Sequence, residues 1–452
     1  MLQAKKFRQP LLTRQRWITI CFLILSAACS NESTAISEDW PQWMGPGRNN
    51  VWTPSAPLLN LSTTVPKKLW SAKIGGGYSG VAVVGGRVFV TDFVTQANVK
   101  VDNFGRKPFQ GTERVLCLNS ESGELIWKYE YAVTTTVSYP AGPRCTPVVD
   151  GDRVYTLGAE GHLACLNVNT GAEVWKNELT QSYGSKSALW GYAAHPMIDG
   201  PRLLTLAGTQ GSQTIALDKM TGKEIWKYGT ATEQGYSPPT IIEAAGVRQL
   251  ILANPNAVNS VNPETGKELW TVSYEASNGS IIMSPIRVGQ YLFVGGYSNR
   301  NLMLELDQSK PGAKVLWRDK AKHGMSPVNV QPMAIGNVIY GCDQSGEMMA
   351  FEVPSGKRLW ETSAPVSERP QGSGTAFVVR YKDQFVLFNE SGELVVAEMD
   401  TAGYRELSRV KLIKPTNNAF GRDVVWCAPA MANGAIFIRN DEELLAFSLV
   451  SQ

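Results

Sequence analysis

The chain has 452 residues with 43 Lys plus Arg against 40 Asp plus Glu, and five of the basic residues (Lys5, Lys6, Arg8, Arg14, Arg16) crowd its beginning, leaving 38 against 40 elsewhere. A balance so near neutrality, without an arginine-rich run, excludes nucleic acid as a partner. The 42 Gly, 25 Pro and 13 Trp, with no apolar 3.6-residue stripe, exclude a helical domain and favour short strands joined by turns.

Residues 1–29 read as an export signal: the basic residues precede the apolar run Trp17 to Cys29, too short for a comfortable membrane span. Its end, LSAAC, resembles a bacterial lipoprotein box, which makes Cys29 the candidate for lipidation. Any membrane attachment would then come from acyl chains rather than from the fold. Residues 30–65 form an extended N-terminal leader, and 66–452 run on as one closed domain. Of the five cysteines in that body, Cys117 and Cys165 occupy one place in successive repeats, where Ala216, Ser260 and Ala350 stand in others. They read as small buried fillers rather than as a disulfide framework.

The stretch KKLWSAKIG, Lys67 to Gly75, has the pattern of an outer strand with nothing before it to pair with. The phrase it echoes comes next: LNSESGELIW ends at Trp127, LNVNTGAEVW at Trp175, LDKMTGKEIW at Trp226, NPETGKELW at Trp270, LDQSKPGAKVLW at Trp317 and FEVPSGKRLW at Trp360. A seventh copy places Leu407 where the tryptophan should be, and the anchors lie 48, 51, 44, 47, 43 and 47 residues apart. This is the period of a four-stranded propeller blade. Upstream of each phrase an apolar run, a glycine turn and an alternating run make a hairpin of strands A and B; the phrase itself supplies strand C, a turn and strand D. Asn or Asp opens that turn by accepting backbone N–H bonds, and glycine accepts positive φ. The ring at Trp70, Trp127, Trp175, Trp226, Trp270, Trp317 and Trp360 is expected to dock each blade on the next. Pro147, Pro196, Pro238, Pro285, Pro332 and Pro429 begin strand A, which must therefore be a sheet edge, as the innermost strand of a propeller is. The last repeat stops after strand C. The fold expected is thus all-β, an eight-bladed β-propeller of four-stranded antiparallel blades, with the N-terminal strand around Trp70 closing the last blade. Between Trp70 and Trp127 lie 57 residues, so blade 1 carries an insertion, Val94 to Arg114, expected as a protruding loop or hairpin and a candidate partner contact.

LDKMTGKEIW and NPETGKELW resemble the repeat of pyrroloquinoline-quinone-type (PQQ-like) eight-bladed propellers over about Lys67 to the end. DWPQWMGPGRNNVW, Asp39 to Trp52, with ALWGYAAHPMIDG, is similar to exported PQQ-like propellers of planctomycete type, many of them called similar to the outer-membrane assembly factor BamB. The resemblance implies a non-enzymatic binding scaffold of the cell envelope, in the periplasm or at the outer membrane, monomeric, with an envelope protein as partner and no cofactor. It also implies alternatives. Quinoprotein alcohol dehydrogenases share the repeat, which would make this a PQQ-dependent oxidoreductase with calcium; carbohydrate or peptide binding is a third reading. The dehydrogenases carry adjacent cysteines, a metal site and a catalytic aspartate. Here no two cysteines are adjacent, and Asp150, Asp199, Asp218 and Asp307 sit at turns, where they are expected to serve the backbone.

Other chemical signals are weak. GGGYSG, Gly75 to Gly80, fits GxGxxG but leads into a hairpin, not a helix. His162, His195 and His323 fall in three repeats and never at ligand spacing, so neither a metal nor a catalytic residue is assigned. The D-to-A connections converge on one funnel, where a rigid scaffold would position binding residues. They contribute Arg144, Trp190, Tyr192, His195, Tyr236, Arg369, Arg422 and Trp426 as candidate contacts at the channel mouth.

Overall fold

The computed structural model describes residues 38–99 and 103–451; the export signal and Cys29 lie outside the described residues. Eight four-stranded antiparallel sheets form the blades, together with one two-stranded hairpin. Blades 1 to 7 span 82–135, 148–178, 197–228, 240–273, 286–318, 333–362 and 376–411. Blade 8 takes three strands from 430–448, and its fourth is the N-terminal strand Lys68–Lys73, with Trp70 opposite Ala446. The extra hairpin, 417–424, lies between blades 7 and 8. Helix is confined among the described residues to Leu179–Ser182 and a single 3-10 turn.

The repeated phrase is explained by its contacts. Asn119 Oδ1 accepts from the Glu121 and Ser122 N–H groups at 2.8 and 2.9 Å, and Asn262 Oδ1 does the same for Glu264 and Thr265 at 2.9 Å each. Five of the tryptophans stand across the ladder from a small strand C residue, Trp127 from Cys117, Trp175 from Cys165, Trp226 from Ala216, Trp270 from Ser260 and Trp360 from Ala350, whereas Trp317 faces Met303. The indole N–H reaches into the C-to-D turn of the following blade, Trp70 Nε1 donating to the Ser120 carbonyl at 2.8 Å, Trp127 to Val168 at 3.0 Å and Trp175 to Lys219 at 3.0 Å. The glycine of that next turn lies directly under the ring. A Cβ on Gly123 would fall 2.6 Å from Trp70, one on Gly171 2.5 Å from Trp127, and one on Gly222 2.7 Å from Trp175. The glycine is thus required twice, for its positive φ and for the ring of the preceding blade.

Trp270 departs from the pattern by donating to Gln249 Oε1 of its own blade, at 2.8 Å, while its ring packs among blade 5 residues such as Leu292 and Leu304. The reading of Leu407 needs correction. Leu407 is not cross-strand from a small residue but occupies the bulge between the pairs Glu406–Ala397 and Ser408–Val396. The turn after Met399 is two residues shorter than in the other copies, Met399 pairing with Tyr404 where Leu118 pairs with Leu125, and this shifts the register. Two carboxylates also depart from expectation: Asp218 and Asp307 do accept backbone N–H groups in their turns, but Asp150 pairs with Lys219 and Asp199 with Arg202 and Arg248, tying neighbouring blades together. All five body cysteines are buried and unpaired.

The leader crosses the face that carries the A-to-B turns. Glu38 and Asp39 accept from Gly434 and Gly85, Trp40 exchanges two backbone bonds with Val83 (2.8 and 2.9 Å), and the Pro41 carbonyl accepts from Val149 at 2.8 Å. Further along, Asn50 and Trp52 bracket Arg380 of blade 7, and Leu59 donates to Leu449 of blade 8 at 2.7 Å. With Trp40, Met44 and Trp52 buried, the leader closes this end of the channel. The opposite end is open.

Candidate functional site

The open end is a cleft of about 650 Å³, lined by the D-to-A connections, by B-to-C turns and by parts of the chain outside the repeat. Its floor comes from the leader: Trp43 rises into the channel and stacks on His195 with ring centroids 4.5 Å apart and planes 9° from parallel. Arg48 lies over the Trp43 ring at 5.3 Å and donates to the Pro196 carbonyl at 3.1 Å. His195 Nδ1 accepts the Thr146 N–H at 3.0 Å, so any proton the neutral ring carries is on Nε2. Burial, with a smaller push from the Arg48 charge, lowers its pKa to about 3. This imidazole is held neutral, with an indole stacked on one face. Beneath it a second, small cavity of about 70 Å³ is walled by Trp40, Met44, Thr146 and Gln331.

Two aromatic clusters make the walls. In one, Trp190 meets Phe104 at 5.7 Å and Tyr236 at 5.4 Å, and its indole N–H donates to Asn103 Oδ1 at 3.2 Å. Tyr236 is buried, its hydroxyl accepting the Trp190 N–H at 3.3 Å, so it supports the wall from behind. In the other cluster Tyr139 meets Trp426 at 5.7 Å and Phe420 at 6.5 Å, and Phe420 meets Trp426 at 6.1 Å. Phe420 sits at the tip of the extra hairpin with φ of 51° and 55% of its surface exposed.

The two arginines of the lining differ in their partners. Arg422 Nε lies 2.6 Å from Glu390 Oε1, and Trp426 Nε1 donates to the same carboxylate at 2.9 Å. Glu390 is 3% exposed and therefore fixes both residues from below. Arg144 faces no carboxylate within ion-pair distance. Its guanidinium donates to the carbonyls of Ser138 and Tyr139, both at 2.7 Å, and to that of Gly142, and lies 5.1 Å from the centre of the Tyr78 ring. Burial lowers its pKa and raises that of the Tyr78 hydroxyl. No Asp, Glu, Lys or Cys is among the described residues that line the cleft. Nor do three His, Cys, Asp or Glu side chains converge anywhere among the described residues so as to hold a metal ion.

The cleft brings together six of the eight contacts expected from sequence: Arg144, Trp190, His195, Tyr236, Arg422 and Trp426. Tyr192 is not among them. Its ring is 3% exposed, packed between blades 2 and 3, with its hydroxyl donating to the Ala207 carbonyl at 2.6 Å. A Cβ on Gly161 would come within 2.7 Å of that ring, so chain and side chain fit each other closely. Arg369 is also absent, lying exposed outside the cleft in the connection between blades 6 and 7. His323 packs edge-on against Trp317 at 4.5 Å, away from the mouth.

Sequence reasoning missed Trp43, Tyr78, Phe104, Tyr139 and Phe420. Phe104 belongs to the blade 1 insertion, which is not a free loop: strands B, C and D of this blade lengthen to Arg87–Val94, Phe109–Asn119 and Leu125–Thr135. Asn103 and Phe104, just before strand C, line the mouth. Arg106 anchors these residues by donating to the Thr136 and Ser187 carbonyls at 3.0 and 3.1 Å. Aromatic residues in connections that lack a blade phrase were the available signal.

Comparison with known proteins gives concordant matches. The family model described as outer membrane protein assembly factor BamB matches residues 111–362 and again 254–451. The chain is similar to the outer membrane protein assembly factor BamB of Burkholderia pseudomallei, 26% identical over 286 residues, covering 60% of this chain and 66% of that one. Among solved structures, BamB from Moraxella catarrhalis superposes with a TM-score of 0.57 at 15% identity, covering 85% of this chain and 100% of that one. Quinohemoprotein alcohol dehydrogenase from Comamonas testosteroni superposes with a TM-score of 0.59 at 12% identity, covering 92% and 81%. At such identities the two structures show a shared fold and nothing finer.

Proposed function

The chain belongs to the family described as outer membrane protein assembly factor BamB, and from that premise we propose that it is a non-enzymatic binding scaffold of the bacterial cell envelope. On this reading it is exported to the periplasm or outer membrane, attached there through acyl chains where Cys29 is lipidated, and works as a monomer against an envelope protein. The observation that carries the reading is the chemistry of the cleft. Its lining offers aromatic rings and two arginines but no carboxylate to serve as a base, no thiol and no cluster of metal ligands. A quinone with calcium would need hard oxygen donors for the ion and an acid–base group beside the substrate. The one imidazole present is capped by Trp43. With no carboxylate in the lining to hold the ion or to serve as the base, these residues do not suit the dehydrogenase alternative.

The surface offered to a protein partner is the rim on the open side, where the blade 1 insertion rises and Lys107 is exposed. A photocrosslinking residue in place of Lys107, in the native envelope, is expected to capture one defined envelope protein. The same residue in place of Lys382, exposed on the leader-closed face, is expected not to capture it. Equal capture from both faces, or none from Lys107, would refute the placement. Separately, purified protein given pyrroloquinoline quinone and calcium is expected to gain no bound chromophore and to reduce no dye; turnover would defeat the scaffold reading.

A further inference from the structure

We infer that the cleft is a binding site for an acidic oligosaccharide, a short pyranose chain bearing carboxylate or sulfate groups. This goes beyond the scaffold reading, since it concerns the cleft and not the rim, and the two fail independently.

Three observations carry it. The first is the two aromatic clusters, around Trp190 and around Trp426, each with a ring lining the open volume. Rigid rings present flat apolar faces at little entropic cost, and the C–H faces of a pyranose stack on such surfaces. Asn278 and Gln371 also line the cleft; an amide carries both a donor and an acceptor, as a sugar hydroxyl does.

The second is charge. A cleft whose lining holds arginine but no Asp or Glu focuses positive potential. Arg422 is neutralised by Glu390, but Arg144 meets carbonyl oxygens and a ring and no carboxylate. A partly desolvated guanidinium with no carboxylate at ion-pair distance, and only the more distant Glu113 and Glu160 acting on it, calls for an anion from outside.

The third observation counts against an extended peptide. Peptides commonly bind a sheet by adding a strand to a free edge through backbone bonds. Six of the eight inner strands begin at their cleft-facing ends with a proline, Pro147, Pro196, Pro238, Pro285, Pro332 and Pro429, which has no N–H to give; those of blades 1 and 7 begin without one. At those six strand ends recognition runs through side chains, and the lining supplies rings, amides and guanidinium groups.

The test uses purified mature protein and its intrinsic tryptophan fluorescence, with tetragalacturonate and a chondroitin sulfate tetrasaccharide as acidic probes, cellotetraose as the neutral one and a tetraglutamate peptide as the acidic non-sugar. Saturable binding of at least one acidic sugar is expected, with cellotetraose and the peptide each at least about tenfold weaker. Phe420→Asn, at an exposed tip whose positive φ asparagine tolerates, and Trp190→Leu should each weaken the acidic sugar about fivefold or more. Arg144→Gln should bring the acidic sugar down to the level of cellotetraose. Should Arg144→Gln fail to fold, the Phe420 and Trp190 variants and the neutral probe still decide. The inference is overturned by equal binding of neutral and acidic sugars, by tighter binding of the peptide, by indifference to the Phe420 and Trp190 changes, or by no saturation with either acidic sugar up to about 10 mM.

Discussion

Replacing Gly222 by alanine tests why the blade phrase has its glycine where it does. Gly222 has φ of +70°, and a Cβ there would lie 2.7 Å from Cδ2 of Trp175. Gly200, in the A-to-B turn of the same blade, has φ of +57° and nothing within 4 Å of the same construction. Both substitutions force an L side chain into left-handed backbone, at a cost of about 1 to 2 kcal/mol. Only Gly222→Ala also drives a methyl group into an indole that cannot move away, because Trp175 is 9% exposed and its N–H is held by the Lys219 carbonyl at 3.0 Å. Overpacking of this kind adds roughly 1 to 3 kcal/mol. The expected loss is thus about 2 to 5 kcal/mol for Gly222→Ala and about 1 to 2 for Gly200→Ala. Urea unfolding followed by far-ultraviolet circular dichroism reads both, as midpoint shifts with an unchanged slope. In a Trp175→Leu background the excess cost at Gly222 should vanish, the coupling being a property of the pair. Equal losses at the two glycines, or an excess that survives without the indole, would show that the tryptophan does not set the requirement for glycine.

Two further outcomes are expected. Glu113 is 1% exposed, accepting from the Ala159 N–H at 3.2 Å and from the Tyr131 hydroxyl, and burial raises its pKa from 4.5 to about 7. Its folded pKa is thus above its unfolded one, so its contribution is complete below pH 4.5 and is lost as pH rises to about 7, a span worth about 3 kcal/mol. Thermal unfolding from pH 4.5 to 8 should show the wild type losing ground to Glu113→Gln across this window, whereas parallel curves would contradict the buried acid. For Trp70, 7% exposed and bonded to the Ser120 carbonyl at 2.8 Å, substitution by alanine should cost roughly 3 to 5 kcal/mol, and more than the same change at the half-buried Trp360. A smaller loss at Trp70 than at Trp360 in chemical melts would show that ring closure does not depend on that indole.

The fold was legible because most blades solve the same packing problem with the same residues: Asn or Asp to open the C-to-D turn, glycine beneath the preceding ring, tryptophan opposite a small strand C residue. Even the closure could be read, since the surplus strand at Trp70 and the deficit after Ser448 are complementary. Reading failed where the period stayed the same but the local geometry did not. Leu407 kept the spacing of an anchor while a shortened turn moved it into a bulge. Tyr192 and Arg369 sat in the right connections, yet which way a side chain turns from a connection is set by its neighbours. Ala207 draws the Tyr192 hydroxyl inward, whereas nothing draws Arg369 toward the mouth.

A ring of eight near-equal blades could by itself offer a ligand only eight near-equal environments. Specificity needs the symmetry broken, and in this protein the breaks come from segments that the repeat does not encode. The leader puts Trp43 on the floor, stacked on the one imidazole of the cleft, His195. The blade 1 insertion brings Asn103 and Phe104 onto Trp190, and the extra hairpin before blade 8 brings Phe420 beside Tyr139 and Trp426. All three close on the connection side of the channel or on its floor, and together they turn a symmetric opening into a cleft with aromatic walls and a cationic flank at Arg144. The residues to suspect in a repeat protein are thus those left over when the repeat has been subtracted, because the repeat constrains the scaffold and leaves the remainder free to meet a ligand.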